Sequence, residues 1–279
     1  MTINSENTRL DDIGILALIG AGKMGSAMLE GWLALGLDPR QVVVIEPHPS
    51  PEIVALSNKG LVLNPPAGAV ANIATVVLAV KPQVAADLLP KVAPMASAGT
   101  LVVSIMAGKA ISFLKAAMPK AAVVRAMPNT PAAIGRGMTV AVASAEVTGE
   151  QRQRAHRLLA ASGAVEWIDD EQLMDAVTAV SGSGPAYVFL LAEALAKAGV
   201  AAGLPAELAA TLARETVAGA GELLHRSSLD AATLRQNVTS PGGTTAAALS
   251  VLMQDDGGLD PLMAEAVAAA TRRSRELAG

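Results

Sequence analysis

A chain of 279 residues, 52% hydrophobic and only 16% charged, can bury a large core in one or two domains. The absence of cysteine excludes disulfides, thiolate catalysis and Cys-ligated metals. A formal charge of −4 with no basic block speaks against a nucleic-acid partner. The first residues, Met1-Thr2-Ile3-Asn4-Ser5-Glu6, are polar, so no signal peptide is expected. No run of about 20 residues is both strongly apolar and free of charge, as a membrane span requires. The most apolar stretch, 187–204, is broken by Glu193, Lys197 and Gly199. The expectation is a cytoplasmic protein.

In chain order, Ile13-Gly14-Ile15-Leu16-Ala17-Leu18-Ile19 is a continuous apolar run, the pattern of a strand covered on both faces. It leads into Gly20-Ala21-Gly22-Lys23-Met24-Gly25, a helical pattern over 26–35, a second strand at 42–45, and Glu46, 21 residues past Gly25. Glycines at these spacings permit a tight turn, the approach of a pyrophosphate, and close helix–strand packing. The unit therefore reads as a dinucleotide site; an ordinary βα turn is the alternative. A carboxylate at Glu46 suits the ribose hydroxyls of NADH and would repel the 2′-phosphate of NADPH, so the residue leans towards NADH. A solvated strand-end charge is the plainer alternative.

Further strands are expected at 61–63, 75–80, 100–104, 122–125, 137–143 and 164–168, with helices after the fourth and seventh. Their carboxyl ends carry Ala79-Val80-Lys81-Pro82, Ile105-Met106-Ala107-Gly108, and Met127-Pro128-Asn129-Thr130-Pro131, where ligands sit in open α/β sheets. Asn129 can offer an amide there. Arg125 is read either as a ligand or as one half of a structural ion pair.

From Asp169 on, only helical patterns recur, over 173–180, 186–199, from Pro205 to about 225, 231–237, from 244 to about 254, and 262–277. Ser181-Gly182-Ser183-Gly184-Pro185 interrupts them, as a hinge or a helix crossing. A helical half of about 110 residues with so much apolar surface is expected to be a dimerisation domain. Within it, Ser240-Pro241-Gly242-Gly243-Thr244-Thr245 opens a helix; it is either a capped helix start or a cradle of backbone N–H groups for a carboxylate. His48, His156 and His225 share no metal-ligand spacing, so no metal is expected.

Taken in order, Ile19-Gly20-Ala21-Gly22-Lys23-Met24-Gly25, Ala79-Val80-Lys81-Pro82, Arg125 to Pro131, Asp175-Ala176-Val177-Thr178, Ser181 to Tyr187, and Ser240 to Thr245 resemble the pyrroline-5-carboxylate reductases. The resemblance implies a Rossmann-type α/β N-terminal domain (1–168) followed by an all-α C-terminal dimerisation and substrate domain (169–279). It implies hydride transfer from NADPH or NADH to 1-pyrroline-5-carboxylate, giving L-proline, in a homodimer that in some members joins into a ring of dimers. Carried over by position, Ile19, Gly20, Ala21, Gly22, Lys23, Met24, Gly25, Glu46, Ala79, Val80, Lys81, Pro82, Ile105, Met106, Ala107, Asn129 and Asn237 would serve the cofactor. Ser240, Gly242, Gly243, Thr244 and Thr245 would hold the substrate, with Thr245 as the catalytic group and Asp170 as a nearby acid. The family often prefers NADPH and has small polar residues where this chain has Ile45 and Glu46. A 3-hydroxyacid dehydrogenase of the 6-phosphogluconate type and a non-catalytic dinucleotide sensor are the alternative functions.

Overall fold

The computed structural model describes residues 10, 12–66 and 68–278. The polar start at 1–6, and the expectation placed on it, lies outside them. The described chain forms two compact units, Ser183–Ala270 being one; the residues before it, with those from Thr271 on, make the other.

The first unit is built on one eight-stranded sheet in the order β3-β2-β1-β4-β5-β6-β7-β8. Its strands are β1 (Ile15–Ile19), β2 (Val42–Ile45), β3 (Val62–Leu63), β4 (Ile73–Leu78), β5 (Leu101–Ser104), β6 (Ala122–Pro128), β7 (Gly137–Ala143) and β8 (Gly163–Trp167). The helices between them are α1 (Lys23–Ala34), α2 (Pro51–Ser57), α3 (Ala85–Val92), α4 (Ile111–Ala117) and α5 (Gly149–Ala160). Every pairing is parallel except β6 with β7, so β7 and β8 run against the rest.

The continuous apolar strands are explained by what covers them. Leu16, Leu18, Val42, Val44, Val77 and Val103 point into a core closed by Met28, Leu29 and Trp32 of α1 and by Leu158 and Leu159 of α5. Ala17, Ile19, Val43, Val76, Leu78 and Val102 point the other way, onto Ala85 and Leu89 of α3 and Leu114 of α4. Successive residues thus alternate between two cores, and neither face tolerates a polar set. Trp32, fully buried, donates its indole N–H to the Leu158 carbonyl at 2.8 Å, which fixes α1 against α5.

The last strand leads through α6 (Met174–Val177) into a π-helical turn at Thr178–Gly182 and then α7 (Gly184–Ala201). The Ser181-Gly182-Ser183-Gly184 segment was expected to interrupt the helix. It does interrupt the regular helix: a π-turn closes at Gly182, Ser183 is a bend that serves as the N-cap of α7, and Pro185 in the first turn lacks only an N–H that would be unpaired anyway. The helical run Glu171–Ala201 holds an 18-residue window of mean hydropathy 1.3, of which 6% is buried, and is long and apolar enough to cross a membrane by length and composition. It carries an ion pair between Lys197 and Glu193 in mid-helix.

In the second unit α7 lies against α8 (Ala206–Arg226), with a Cβ at Gly199 only 3.2 Å from that of Ala209. Small residues let the two helices approach. The unit continues with α9 (Ala231–Asn237), α10 (Thr244–Leu252) and most of α11 (Leu259–Ala278). Phe189, Leu190, Leu191, Leu223, Val251 and Leu262 are all more than half exposed, an apolar surface far larger than a solvated helix pair presents.

Candidate active site

The sheet reverses its winding between β1 and β4: β2 and β3 lie to one side of β1, β4 and β5 to the other. Ligands of open α/β sheets sit at such a point, beyond the carboxyl ends. Backbone bonds continue the ladder past the strands and hold these ends together. Gly20 N donates to Ile45 O at 2.9 Å, Ala79 N to Ile19 O at 2.8 Å, and Ile105 N to Leu78 O at 3.0 Å. Residues expected near the cofactor from Ile19 to Gly25, and at Glu46, Ala79–Pro82 and Ile105–Ala107, are therefore on one edge.

The glycines of the first turn have separable reasons. A Cβ on Gly25 would stand 2.2 Å from the Gly20 carbonyl oxygen, so only glycine lets α1 start this close to the turn. Gly22 is different: its φ of −68° suits any residue, and a Cβ there meets nothing within 4 Å. Its bareness serves nothing within this chain. As N-cap of α1 it offers no side-chain bond, and the first turn carries no acid. The first-turn N–H groups thus receive no side-chain cap, and unpaired donors at the positive end of a helix are equipment for an anion such as a pyrophosphate. This arrangement fits a dinucleotide.

Glu46 is half-buried and already engaged. Its Oε2 accepts from Ala21 N at 2.9 Å and its Oε1 from His48 N at 3.0 Å. Ile19 and Met106 are buried in the core at 1% and 2% exposure, so only their backbones face this edge. Lys81 and Ala107 are exposed. Asn129, at the end of β6, spends its amide within the fold. Nδ2 donates to Ser181 O and Oγ at 3.2 and 3.3 Å, and Oδ1 accepts from Met138 N at 2.8 Å. It ties the sheet edge to the π-turn, where Gly182 packs on Met127. Arg125 proves to be half of an ion pair, its Nη1 2.8 Å from Glu171 Oε1. The same oxygen accepts from Ile111 N at 2.8 Å, supplying the cap that α4 lacks. Glu171 was not anticipated; a lone acid 46 positions from Arg125 and 60 from Ile111 leaves no local signal.

In the second unit, Gly242 has φ +70° and turns the chain so that Gly243 N donates to Ser240 O at 3.0 Å. Gly243 is the N-cap of α10 and offers no side-chain bond. The first-turn amides of Thr244 and Thr245 are donors a helix cannot satisfy itself. Thr245 is half-buried; Ser240 and Thr244 are exposed. Asn237 closes α9 and is exposed. Asp170 is exposed and accepts from Gln172 N at 2.9 Å, a cap on the turn that precedes α6. Among the described residues no group of His, Cys, Asp and Glu could hold a metal ion.

Residues 171–277 match the family model described as pyrroline-5-carboxylate reductase dimerisation, and residues 15–108 match that of the coenzyme F420-dependent NADP oxidoreductases. The chain is 42% identical over 264 residues to a pyrroline-5-carboxylate reductase of Synechocystis sp., covering 94% of this chain and 97% of that one. Among solved structures, the pyrroline-5-carboxylate reductase of Coxiella burnetii aligns with a TM-score of 0.87 at 33% identity, covering 95% of this chain and 99% of that one. The Plasmodium falciparum pyrroline carboxylate reductase with NADP bound aligns with a TM-score of 0.79 at 29% identity, covering 97% and 100%. With a relative this similar along nearly the whole chain, and a sheet edge built for a dinucleotide, the chain belongs to the pyrroline-5-carboxylate reductase family, the NAD(P)H-dependent oxidoreductases that make proline.

Proposed function

We propose how this chain carries out its family's reaction, the reduction of 1-pyrroline-5-carboxylate to L-proline with NAD(P)H. Residues 1–168 hold the cofactor and residues 169–279 form the dimer and hold the substrate. The observation that carries the cofactor half is the bare N-terminus of α1 at Gly22, at the reversal point of the sheet. The amides from Gly22 to Met24 would hold the pyrophosphate, and the strand ends at Ala79–Pro82 and Ile105–Ala107 would hold the nicotinamide arm. Bound there, the cofactor supplies a hydride. Asn237 is assigned to the cofactor side on the family resemblance alone.

The substrate is a cyclic imine with a carboxylate. Gly242, Thr244 and Thr245 leave their amides for that carboxylate, the Gly243 N–H being spent on the turn. Ser240 lies at the rim of the same loop. Thr245 Oγ is placed one residue further into the helix to donate to the ring nitrogen, which gains a lone pair as the C=N carbon takes up hydride. An imine protonated from solvent is already electrophilic, so orientation does most of the remaining work. For Asp170 the capping bond to Gln172 is a complete structural reason, and we assign the acid no step.

Glu46 selects NADH, since its carboxylate suits free ribose hydroxyls and repels a 2′-phosphate. The apolar face of α7, α8, α10 and α11 is covered by a second copy, whose helical domain completes the active site; rings of dimers are a further level of assembly. The enzyme works in the cytoplasm. Following the absorbance of NADH and NADPH in parallel with 1-pyrroline-5-carboxylate tests this directly. Turnover with NADH at higher kcat/KM is expected, and binding of the cofactor without its oxidation would refute the catalytic reading.

A further inference from the structure

We infer that Asn64 is a specificity-positioning residue, a side-chain clamp that aims the Glu46 carboxylate at the adenosine ribose of the dinucleotide. The inference rests on the NADH reading of Glu46 given above. The β2–β3 ladder ends early: Val43 pairs with Val62 and Val44 with Leu63. Asn64 N still donates to Val44 O at 2.8 Å, and then the backbone turns away with φ +48°, a left-handed conformation that asparagine tolerates better than most residues. At that point its side chain takes over the role of the missing strand. Asn64 Oδ1 accepts from Glu46 N at 2.9 Å, and Asn64 Nδ2 donates to Glu46 O at 2.9 Å. Both backbone groups of Glu46 are thereby held although it lies beyond the last strand pair, and Pro47 carries the chain away immediately afterwards.

The consequence falls on the carboxylate. With its backbone fixed, Glu46 keeps Oε2 on Ala21 N at 2.9 Å and Oε1 on His48 N at 3.0 Å. Ala21 lies inside the glycine turn, so the carboxylate is registered to the same turn that receives the pyrophosphate. A carboxylate has about four acceptor sites, and two are occupied. One remains on each oxygen, matching the two vicinal hydroxyls of an unphosphorylated ribose. A 2′-phosphate would replace one donor by a dianion beside a carboxylate that cannot swing aside. The clamp therefore acts twice on selectivity: it pre-organises the favourable partner and keeps the repulsive one in place.

Asn64→Gly tests this, because glycine accepts the φ of +48° and removes only the amide. Calorimetric titration with ADP-ribose and with 2′-phospho-ADP-ribose reads the adenosine end without turnover; kcat/KM with NADH and NADPH accompanies it. In Asn64→Gly the ADP-ribose Kd is expected to rise about three- to tenfold, with no parallel loss for the 2′-phosphorylated probe. In turnover the effect falls in the KM for NADH rather than in kcat. Glu46→Ser is expected to move the preference further in the same direction. If Glu46→Ser shifts the preference while Asn64→Gly stays within about twofold of the wild-type ratio, or weakens both probes alike, the clamp is overturned and the reading of Glu46 stands. If Glu46→Ser shifts nothing, the NADH reading falls and takes the clamp with it.

Discussion

Gly22→Asp is the substitution on which the cofactor site can be judged, because stability and binding should move in opposite directions. The residue is the N-cap of α1, at φ −68° and ψ −167°, where an aspartate carboxylate accepts from first-turn amides. Nothing lies within 4 Å of the added Cβ, so the fold raises no steric objection. Capping adds a few tenths of a kcal/mol over glycine, reduced freedom of the unfolded chain about 0.4–1, and charge at the positive end of the helix about 0.3–1. Together these stabilise the apoprotein by roughly 1–2 kcal/mol, which is a rise of a few degrees in Tm. The same carboxylate fills the space and satisfies the amides that a pyrophosphate would take, and repels it. NADH affinity should fall more than about a hundredfold, close to 3 kcal/mol. Gly25→Ala is the contrast: a Cβ 2.2 Å from Gly20 O forces helix and turn apart, so stability should fall by about 1–3 kcal/mol along with binding. Differential scanning fluorimetry and nicotinamide fluorescence read the two quantities separately. A Gly22→Asp protein that binds NADH within about threefold of wild type would sink the placement of the pyrophosphate.

Thr245→Ala should lose about 1–3 kcal/mol of transition-state binding, read as kcat/KM; an unchanged value removes Thr245 from the mechanism. Glu171→Ala leaves the Arg125 guanidinium, with a side chain 9% exposed, and the Ile111 amide without their acceptor. A loss of roughly 2–3 kcal/mol in chemical denaturation is expected, partly recovered by adding Arg125→Met; strict additivity would contradict the pairing. Thr75 is fully buried in β4, and its hydroxyl has no hydrogen-bond partner among the described residues. Thr75→Val should therefore leave stability equal or raise it by about 1 kcal/mol, and a marked loss of Tm would reveal a partner. Glu146 is held down to about 2 by the Lys115 ammonium, 2.8 Å away, and then by the Ser144 hydroxyl. A pKa depressed in the folded state stabilises above the ordinary carboxylate value and is lost as pH falls towards 2. Glu146→Gln should thus lose less Tm than wild type between about pH 4.5 and 2; identical slopes would argue against the contact.

The alternation of strand and helix was legible because parallel strands buried on both faces read as nearly continuous apolar runs, with only isolated polar positions such as Thr75 and Ser104. Val42–Ile45 and Ala231–Asn237 were read to the residue. Helices α2 and α4 were not. The antiparallel direction of β7 has no signature in its composition either; it is visible only in its pairing with β6. At the site, spacing singled out the glycines and Glu46 because both lie within one βαβ unit. What spacing could not find is how their polar groups are spent. Asn129 was read as an offered amide, yet its carbonyl and amino groups close on Met138 and Ser181. Asn64 was passed over, since its partnership with Glu46 exists only through the register of β2 with β3. Hydrogen-bond partners across 18 or 52 positions are properties of the fold, not of the local string.

The capping of the helices argues the same point from the energetic side. Ser50, Thr148 and Asp230 each cap a helix with a side-chain oxygen, Thr148 in a full capping box with Gln151. In each of those helices the cap takes up one first-turn donor. The helices that open the two proposed binding loops, α1 and α10, begin instead at Gly22 and Gly243, with no side-chain cap and no acid in the first turn. At Gly22 the backbone conformation would accept aspartate or serine, so the omission forgoes stability that a single substitution could supply. A position that is sterically free, conformationally ordinary and still bare is explained when its amides are needed elsewhere. At Gly243 a Cβ would come 3.1 Å from the Ser240 carbonyl oxygen. There the turn itself asks for glycine, and the functional case rests on the Thr244 and Thr245 donors that follow it.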